Sequence, residues 1–274
     1  MRYQGRLRKM LTRHKAEVEY ELRLTDPAQP ESHVALNPLL GKHLNLKFNG
    51  EIHCIHCERR ITKSFNQGYC YPCFKKLAQC DSCIIQPEKC HYHLGTCREP
   101  AWGETHCFQP HLVYLANTSG LKVGITRKTQ MPTRWMDQGA VAALPLFEVP
   151  DRLSSGKVET LLAQTLKDKT AWQAMLKNQV PDLDLQVEAS QVVADYQSKL
   201  EGLTSTPVKQ LDSQPWFFTY PVLNYPARVK SLNPEKTSDI QGQLLGIKGQ
   251  YLLLDTGVIN LRKFAGYVVD FHCS

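Results

Sequence analysis

The chain has 274 residues, enough for about two to four compact units, and its hydrophobic content of 42% allows ordinary buried cores. No apolar run reaches about 18 residues, the length of a membrane span, and the basic N-terminus lacks the apolar segment of a secretory signal. We therefore expect a cytoplasmic protein that does not engage a membrane and whose cysteines stay reduced.

The formal net charge is +7, and the excess of basic residues is concentrated in two places. Residues 1–15 carry six basic side chains and no acidic one, and residues 122–134 form a second basic cluster. Such patches suit phosphate groups, so the sequence predicts a nucleic acid as partner, either RNA or DNA; a solvated surface is the alternative. The residues assigned to this contact are Arg6, Arg8, Lys9, Arg127 and Lys128.

Residues 1–50 are expected to form a small β unit. Apolar and polar residues alternate with a period of two over 18–24 and 44–48, which is typical of half-buried strands. Residues 51–108 contain nine of the ten cysteines and show little periodicity, as expected where a metal replaces a hydrophobic core.

From residue 109 to 203 the pattern changes to strands and helices. Two apolar runs, 112–116 and 121–125, flank a turn and predict a β-hairpin. Apolar residues at helical spacing then predict helices. Two of these helices are expected to begin near Pro132 and Ser155, and two more to include residues 171–176 and 192–200.

After a linker at 204–207, short strands punctuated by glycines predict a small barrel-like β unit that extends to residue 274. The sequence leaves open whether residues 1–50 complete the same barrel. The predicted fold class is α+β. The predicted domains are 1–50, 51–108, 109–203 and 204–274.

Four cysteines form two Cys-x-x-Cys pairs that are twelve residues apart, a spacing that lets both pairs bind one zinc ion. Four thiolates leave no open coordination position, so this zinc is expected to be structural. The predicted ligands are Cys54, Cys57, Cys70 and Cys73.

A third Cys-x-x-Cys pair, Cys80 and Cys83, predicts a second zinc ion with two further ligands. Cysteines are favoured as those ligands because thiolate-rich sites are the common structural type, and a histidine-containing site remains an alternative. The cysteine candidates are Cys90, Cys97 and Cys107, and the histidine candidates are His91, His93 and His106.

The segment behind the cysteines resembles the GIY-YIG nuclease superfamily over about residues 111–178. The tripeptide that ends in Tyr114 matches the first motif, and Lys122-Val123-Gly124 matches the second, with lysine in place of tyrosine. Arg134 matches the arginine of the helix that follows, and Glu159 matches the glutamate of a later helix. The resemblance implies a mixed sheet with flanking helices.

The resemblance also implies a catalytic set of Tyr114, Lys122, Arg134 and Glu159. The chemistry of these residues agrees with phosphodiester hydrolysis. Arg134 can grip phosphate oxygens, Glu159 can hold Mg²⁺ or Mn²⁺, and Tyr114 can position water or assist proton transfer. Each also has a structural alternative, because Glu159 suits a first helical turn, Arg134 can pair with Asp137, and Tyr114 can belong to a core.

The whole chain resembles a bacterial family described only as a domain of unknown function, through stretches such as 95–100 and 134–140. That likeness implies no activity. The sequence therefore predicts a zinc protein that binds nucleic acid and acts as a metal-dependent nuclease. A non-catalytic nucleic-acid-binding protein that keeps the same scaffold, and a zinc-stabilised adaptor for other proteins, are the alternatives.

Overall fold

The computed structural model describes residues 1–166 and 171–274, and in these residues the chain forms fifteen β-strands and six α-helices. The strands are β1 (Arg2–Leu7), β2 (Leu11–Arg13), β3 (Glu19–Asp26), β4 (Gln29–Ala35), β5 (His43–His53), β6 (Arg60–Ile61), β7 (His111–Asn117), β8 (Leu121–Arg127), β9 (Ala142–Val149), β10 (Lys209–Gln210), β11 (Trp216–Phe217), β12 (Asp239–Lys248), β13 (Tyr251–Leu254), β14 (Gly257–Asn260) and β15 (Tyr267–Cys273). The α-helices are α1 (Tyr71–Lys76), α2 (Pro100–His106), α3 (Thr133–Asp137), α4 (Arg152–Leu162), α5 (Trp172–Leu176) and α6 (Leu185–Leu200).

The chain divides into two compact units. The first unit comprises Met1–Phe74, Leu176–Asn178 and Phe218–Ser274, and the second comprises Lys75–Met175 and Gln179–Phe217. The N-terminal and C-terminal strands therefore belong to one unit, which answers the question that the sequence left open.

The first unit is built on a ten-stranded sheet in the order β14-β13-β12-β5-β15-β1-β3-β2, with β4 paired to β3 and β6 paired to β5. Alternate residues of β3, namely Tyr20, Leu22 and Leu24, are buried, as the period of two predicted. Register shifts in β12 and β15 mark β-bulges. Because bulges bend strands and increase their twist, they account for the curled, half-barrel form of this sheet.

The second unit contains the order β10-β9-β7-β8, with β11 paired to β9. Every residue of β7 is buried, because this central strand is covered on both faces. The ladders among these described strands are antiparallel, whereas the resemblance implied a mixed sheet. Strands β8 and β9 run in the same direction, but they lie on opposite sides of β7 and so never pair with each other.

Helices α4 and α6 pack against this second sheet, and Val158, Val192 and Leu200 belong to the shared core. Asp151 and Asp184 cap the two helices by accepting hydrogen bonds from first-turn N–H groups. The predicted hairpin and the predicted helices are confirmed. In the described ranges, no helix is both long and apolar enough to span a bilayer.

Strand β11 lies elsewhere than the sequence suggested. Its residues were expected in the C-terminal β unit, but Trp216 and Phe217 pair with β9 of the second unit. The ring of Trp216 lies 6.0 Å from the ring of buried Trp135, and this aromatic contact holds the short strand in place.

Candidate functional site

The first metal centre lies in the first unit, where β5 ends and the chain turns into Cys54. The donor atoms of four cysteines all lie within 4.8 Å of one another, and the sulfurs of Cys57 and Cys70 are 3.7 Å apart. A tetrahedral zinc ion with Zn–S bonds of about 2.3 Å requires sulfurs about 3.8 Å apart. The cluster can therefore hold one zinc ion. We call Cys54, Cys57, Cys70 and Cys73 the zinc knuckle.

Hydrogen-bond donors around the zinc knuckle favour the thiolate form of two of its cysteines, Cys54 and Cys57. The backbone N–H of Cys70 donates to the sulfur of Cys54 at 3.2 Å, and Arg59 Nε donates to the sulfur of Cys57 at 3.2 Å. Burial raises the pKa of Cys57, but hydrogen bonds from the Arg59 backbone and from neighbouring thiols outweigh it and lower that pKa to about 6. The pKa of Cys73 is raised, mainly by burial. The donor set suits a closed, structural zinc site.

The remaining predicted zinc ligands lie in the second unit and behave differently. Four of them line a single cavity of about 330 Å³ that is open to solvent on one side. These four are Cys83, Cys90, Cys97 and Cys107, and we call the site the cysteine cavity. Cys80 is buried, but it is not among the described residues that line this cavity.

A second group of possible ligands, Asp81, Cys83 and His91, also has donor atoms within 4.8 Å of one another. The carboxylate of Asp81 is already engaged, because it pairs with Arg98 Nε at 2.9 Å and with His91 Nε2 at 3.3 Å. It also accepts a hydrogen bond from the N–H of Ser82 at 2.6 Å. The adjacent guanidinium opposes a metal ion here, so this group is better explained as an ion-pair network.

The hairpin of β7 and β8 positions Tyr114. In the ladder Tyr114 faces Gly124, and a Cβ atom at Gly124 would lie 2.7 Å from the Tyr114 hydroxyl oxygen. The second motif thus needs glycine because the tyrosine ring lies directly over it. On the other side of β7, the register with β9 shifts between Val113 and Tyr114. Such bulges often re-aim a side chain beside a functional site.

Gln138 joins two residues of the predicted catalytic set. Its Oε1 atom accepts hydrogen bonds from the Tyr114 hydroxyl at 3.1 Å and from Lys122 Nζ at 2.9 Å. Gln138 follows the last residue of α3 and is held by a Schellman motif, in which Gly139 has a positive φ and the N–H of Ala140 bonds to the carbonyl of Trp135. Sequence reasoning missed Gln138, although the Gln-Gly pair at a helix end signals its fixed position.

Arg134 and Glu159 approach the same tyrosine from two helices. Burial raises the pKa of Tyr114; charge and hydrogen bonding from Arg134 lower it, and the charge of Glu159 raises it. Tyr114 and Lys122 are buried, whereas Arg134, Gln138 and Glu159 are half-buried. The four predicted residues are therefore neighbours in the second unit: Arg134 and Glu159 act on Tyr114, and Gln138 joins Tyr114 to Lys122.

Arg152 connects this site to the cysteine cavity. Its backbone N–H donates to the carbonyl of Cys107 at 2.9 Å. Burial lowers the pKa of Arg152, and the charges of Cys107 and Cys83 on one side and of Arg134 and Glu159 on the other also act on it. One half-buried guanidinium thus lies within electrostatic range of both groups.

Several of the residues predicted to contact phosphate already have protein partners. In the first unit, Arg6 lies 3.7 Å from Glu58, and Arg8 donates to the carbonyl of Ile55 and to Thr25. Lys9 is half-buried in the same unit. In the second unit, Lys128 pairs with Glu148 at 2.8 Å, and Arg127 is half-buried. These pairings reduce the charge that each residue offers to a ligand.

Comparisons with known proteins place the chain in one family. No curated protein and no solved structure matches it. A family model described as "Protein of unknown function (DUF2797)" matches residues 41–269, which include the zinc knuckle, the cysteine cavity and the site around Tyr114. The chain therefore belongs to the DUF2797 family.

Proposed function

We propose that the second unit is a GIY-YIG-type domain that hydrolyses phosphodiester bonds of nucleic acid with the help of a divalent metal ion. One observation carries the proposal: Arg134 and Glu159, which come from two helices, both act electrostatically on Tyr114 of strand β7. The order of motifs along the chain and the hairpin that pairs Tyr114 with Gly124 agree with this assignment.

In this reading Arg134 binds the scissile phosphate, because a half-buried guanidinium can donate two hydrogen bonds to phosphate oxygens and stabilise the charge that develops on them. The Glu159 carboxylate supplies the oxygen ligand that Mg²⁺ or Mn²⁺ prefers. A divalent ion bound there would polarise a phosphoryl oxygen and acidify an attacking water.

The burial of Tyr114 changes the role that its residue type suggested. Its hydroxyl is shielded from solvent and donates to Gln138, and its raised pKa keeps it protonated. We therefore assign Tyr114 as a positioning residue that orients Arg134. Lys122 and Gln138 complete the hydrogen-bonded support beneath the reactive groups.

A second candidate function is nucleic-acid binding without cleavage. Gln138 satisfies the polar ends of both Tyr114 and Lys122, so neither residue is poised to contact a water nucleophile. Arg134 would then bind phosphate alone, and affinity would fall steeply with salt.

The test is cleavage of a panel of single- and double-stranded RNA and DNA by the full chain, with Mg²⁺, Mn²⁺ or a chelator. We expect Glu159→Gln to abolish metal-dependent cleavage and Arg134→Ala to lower its rate about 10²–10³-fold. The exposed residues Glu201 and Lys209 of the same unit supply matched controls, Glu201→Gln and Lys209→Ala, which should keep full activity. Cleavage unaffected by the first two changes contradicts the proposal, and salt-sensitive binding without cleavage selects the second candidate.

A further inference from the structure

The cysteine cavity differs from the zinc knuckle in its span. The sulfurs of the zinc knuckle lie within 4.8 Å of one another, but no such group is found among the four cavity cysteines, all of which are described. Nevertheless these four side chains line one cavity. A single tetrahedral ion draws all its sulfurs close together, whereas a polynuclear centre binds each sulfur through a different metal atom and needs a wider ring.

The spacing of the cavity cysteines is not that of a typical structural zinc site. Six, six and nine residues separate Cys83, Cys90, Cys97 and Cys107 in turn. Structural zinc sites typically contain pairs of ligands about two to four residues apart, and no pair in the cavity has that spacing. The Cys80–Cys83 pair has it, but only Cys83 lines the cavity.

The segment around the cavity has almost no hydrophobic core. Of residues 81–107, all of which the structure describes, only Asp81, Pro87 and Gly103 are buried. The backbone forms three 3-10 turns and the short helix α2. The contact of Pro87 and Glu88 with Gly156 of α4 and the half-buried residues offset only part of the entropy cost of ordering about 27 residues. A ligand that binds all four cysteines would supply the missing free energy, as structural metals do in small domains.

The cavity wall suits a metal–sulfur centre with net negative charge. Its lining is almost entirely apolar and includes the rings of Tyr92, Trp102 and Phe108. Half-buried Arg152, whose backbone N–H bonds to Cys107 and whose charge acts on Cys83 and Cys107, provides the compensating positive charge. The Asp81 carboxylate also lines the cavity, but its charge is balanced by Arg98 at 2.9 Å, so Arg152 is left to balance the charge of a cluster in otherwise apolar surroundings.

We propose that the cysteine cavity binds a [4Fe–4S] cluster, with Cys83, Cys90, Cys97 and Cys107 each ligating one iron atom. A preassembled cluster that arrives with four terminal thiolate ligands exchanges them one for one. Each cysteine sulfur forms a bond to iron, the bond from that iron to the outgoing thiolate breaks, and the cysteine proton passes to that thiolate, without any change of oxidation state. This inference is independent of the proposed nuclease activity, because it rests on the cavity alone.

The test begins with the full chain expressed and purified without oxygen. Iron, acid-labile sulfide and zinc are measured per chain, and visible absorption and the EPR spectrum after reduction are recorded. We expect about four iron and four sulfide per chain together with about one zinc ion. About two zinc ions without iron or sulfide, even after incubation with ferrous iron and sulfide under anaerobic conditions, would overturn the proposal.

Variants then assign the ligands. Cys90→Ser and Cys97→Ser should lose iron and keep zinc, Cys57→Ser should lose zinc and keep iron, and Cys80→Ser should keep both. Iron at the wild-type level in Cys90→Ser and Cys97→Ser contradicts the assignment. Should these variants fail to fold, wild-type stoichiometry and the quenching of Trp102 fluorescence on cluster binding still decide the question, since Trp102 lines the cavity.

Discussion

The zinc knuckle and the cysteine cavity are both built from cysteines, but these cysteines have different structural roles in the two regions. In the zinc knuckle two Cys-x-x-Cys pairs converge at the end of β5, where a ten-stranded sheet already has a core. In the cysteine cavity four widely spaced cysteines surround a space in a segment that buries almost no apolar side chain. The knuckle reinforces an existing fold, whereas the cavity must organise its own surroundings.

The difference also shows that ligand spacing alone does not define a metal site. Cys80 and Cys83 have the same spacing as the pairs of the zinc knuckle, yet only Cys83 contributes to the cavity. In the knuckle the N–H of Cys70 bonds to the sulfur of Cys54, so one pair orients the other. The third pair has no second pair of that kind to complete it.

The largest expected effect comes from breaking the zinc knuckle. Cys70→Ser removes a buried ligand, and because structural zinc contributes about 10 kcal/mol or more to folding, the first unit should lose zinc and much of its protection from hydrogen exchange. Zinc content and exchange of the β5 amides measure both effects. All four tryptophans, at 102, 135, 172 and 216, lie in the second unit, so their fluorescence should not change.

Cys80→Ser is the matched control, because it alters a buried cysteine of the same Cys-x-x-Cys spacing. Zinc content should stay at the wild-type level. Loss of zinc from this variant would show that the Cys80–Cys83 pair binds zinc as the pairs of the zinc knuckle do, and would contradict the distinction between the two sites.

Acid should weaken the second unit through His111, the first residue of β7, which lies next to the cysteine segment. Burial lowers the pKa of His111 to about 4 from an ordinary value of 6.5. The charges of Arg152 and Arg127 lower it further. A hydrogen bond to the carbonyl of Gln109 and the charge of Asp151 act in the opposite direction. The unfolded chain thus binds a proton more readily than the folded chain between these two values. Stability is complete above about pH 6.5 and falls by up to about 3 kcal/mol as the pH drops to about 4.

Urea unfolding followed by tryptophan fluorescence at several pH values measures this loss in the second unit. His111→Gln cannot titrate, so its stability should depend less on pH in the same window. Equal pH dependence in both proteins would mean that other groups, and not the buried imidazole, govern acid sensitivity.

Each cysteine site has an arginine beside it, and we expect the two arginines to differ in how much they stabilise the fold. Arg98 pairs with buried Asp81 in the cavity wall, so Arg98→Ala leaves that carboxylate without its cation and should cost about 1–3 kcal/mol. Arg59 also contacts its site, by donating to Cys57, but it is exposed. Arg59→Ala should leave the melting temperature almost unchanged. Thermal unfolding of both variants compares them, and a larger loss for Arg59→Ala would reverse the comparison.

The sequence predicted the zinc knuckle well because its ligands are local: two short motifs joined by a turn. It also predicted the β7–β8 hairpin and four helices of this part of the chain from apolar runs and helical spacing, but not strand β9 or helix α2. The choice of cysteines for the cavity could not be predicted, since it depends on how several 3-10 turns fold around a space. Gln138 escaped prediction because its role arises only when α3 meets the hairpin.

The smallest expected effect concerns two tyrosine hydroxyls of the second unit, one in the site around Tyr114 and one in the wall of the cysteine cavity. Tyr114→Phe removes a buried hydroxyl that donates to Gln138 and should cost about 1 kcal/mol, because half-buried Gln138 loses one of its two donors but keeps Lys122. In the cavity wall the hydroxyl of Tyr92 donates to exposed Glu104, where water can replace it, so Tyr92→Phe should leave stability unchanged. Chemical denaturation of both variants tests the difference. Equal losses would place Tyr114 in a solvated setting and remove the physical basis for its positioning role.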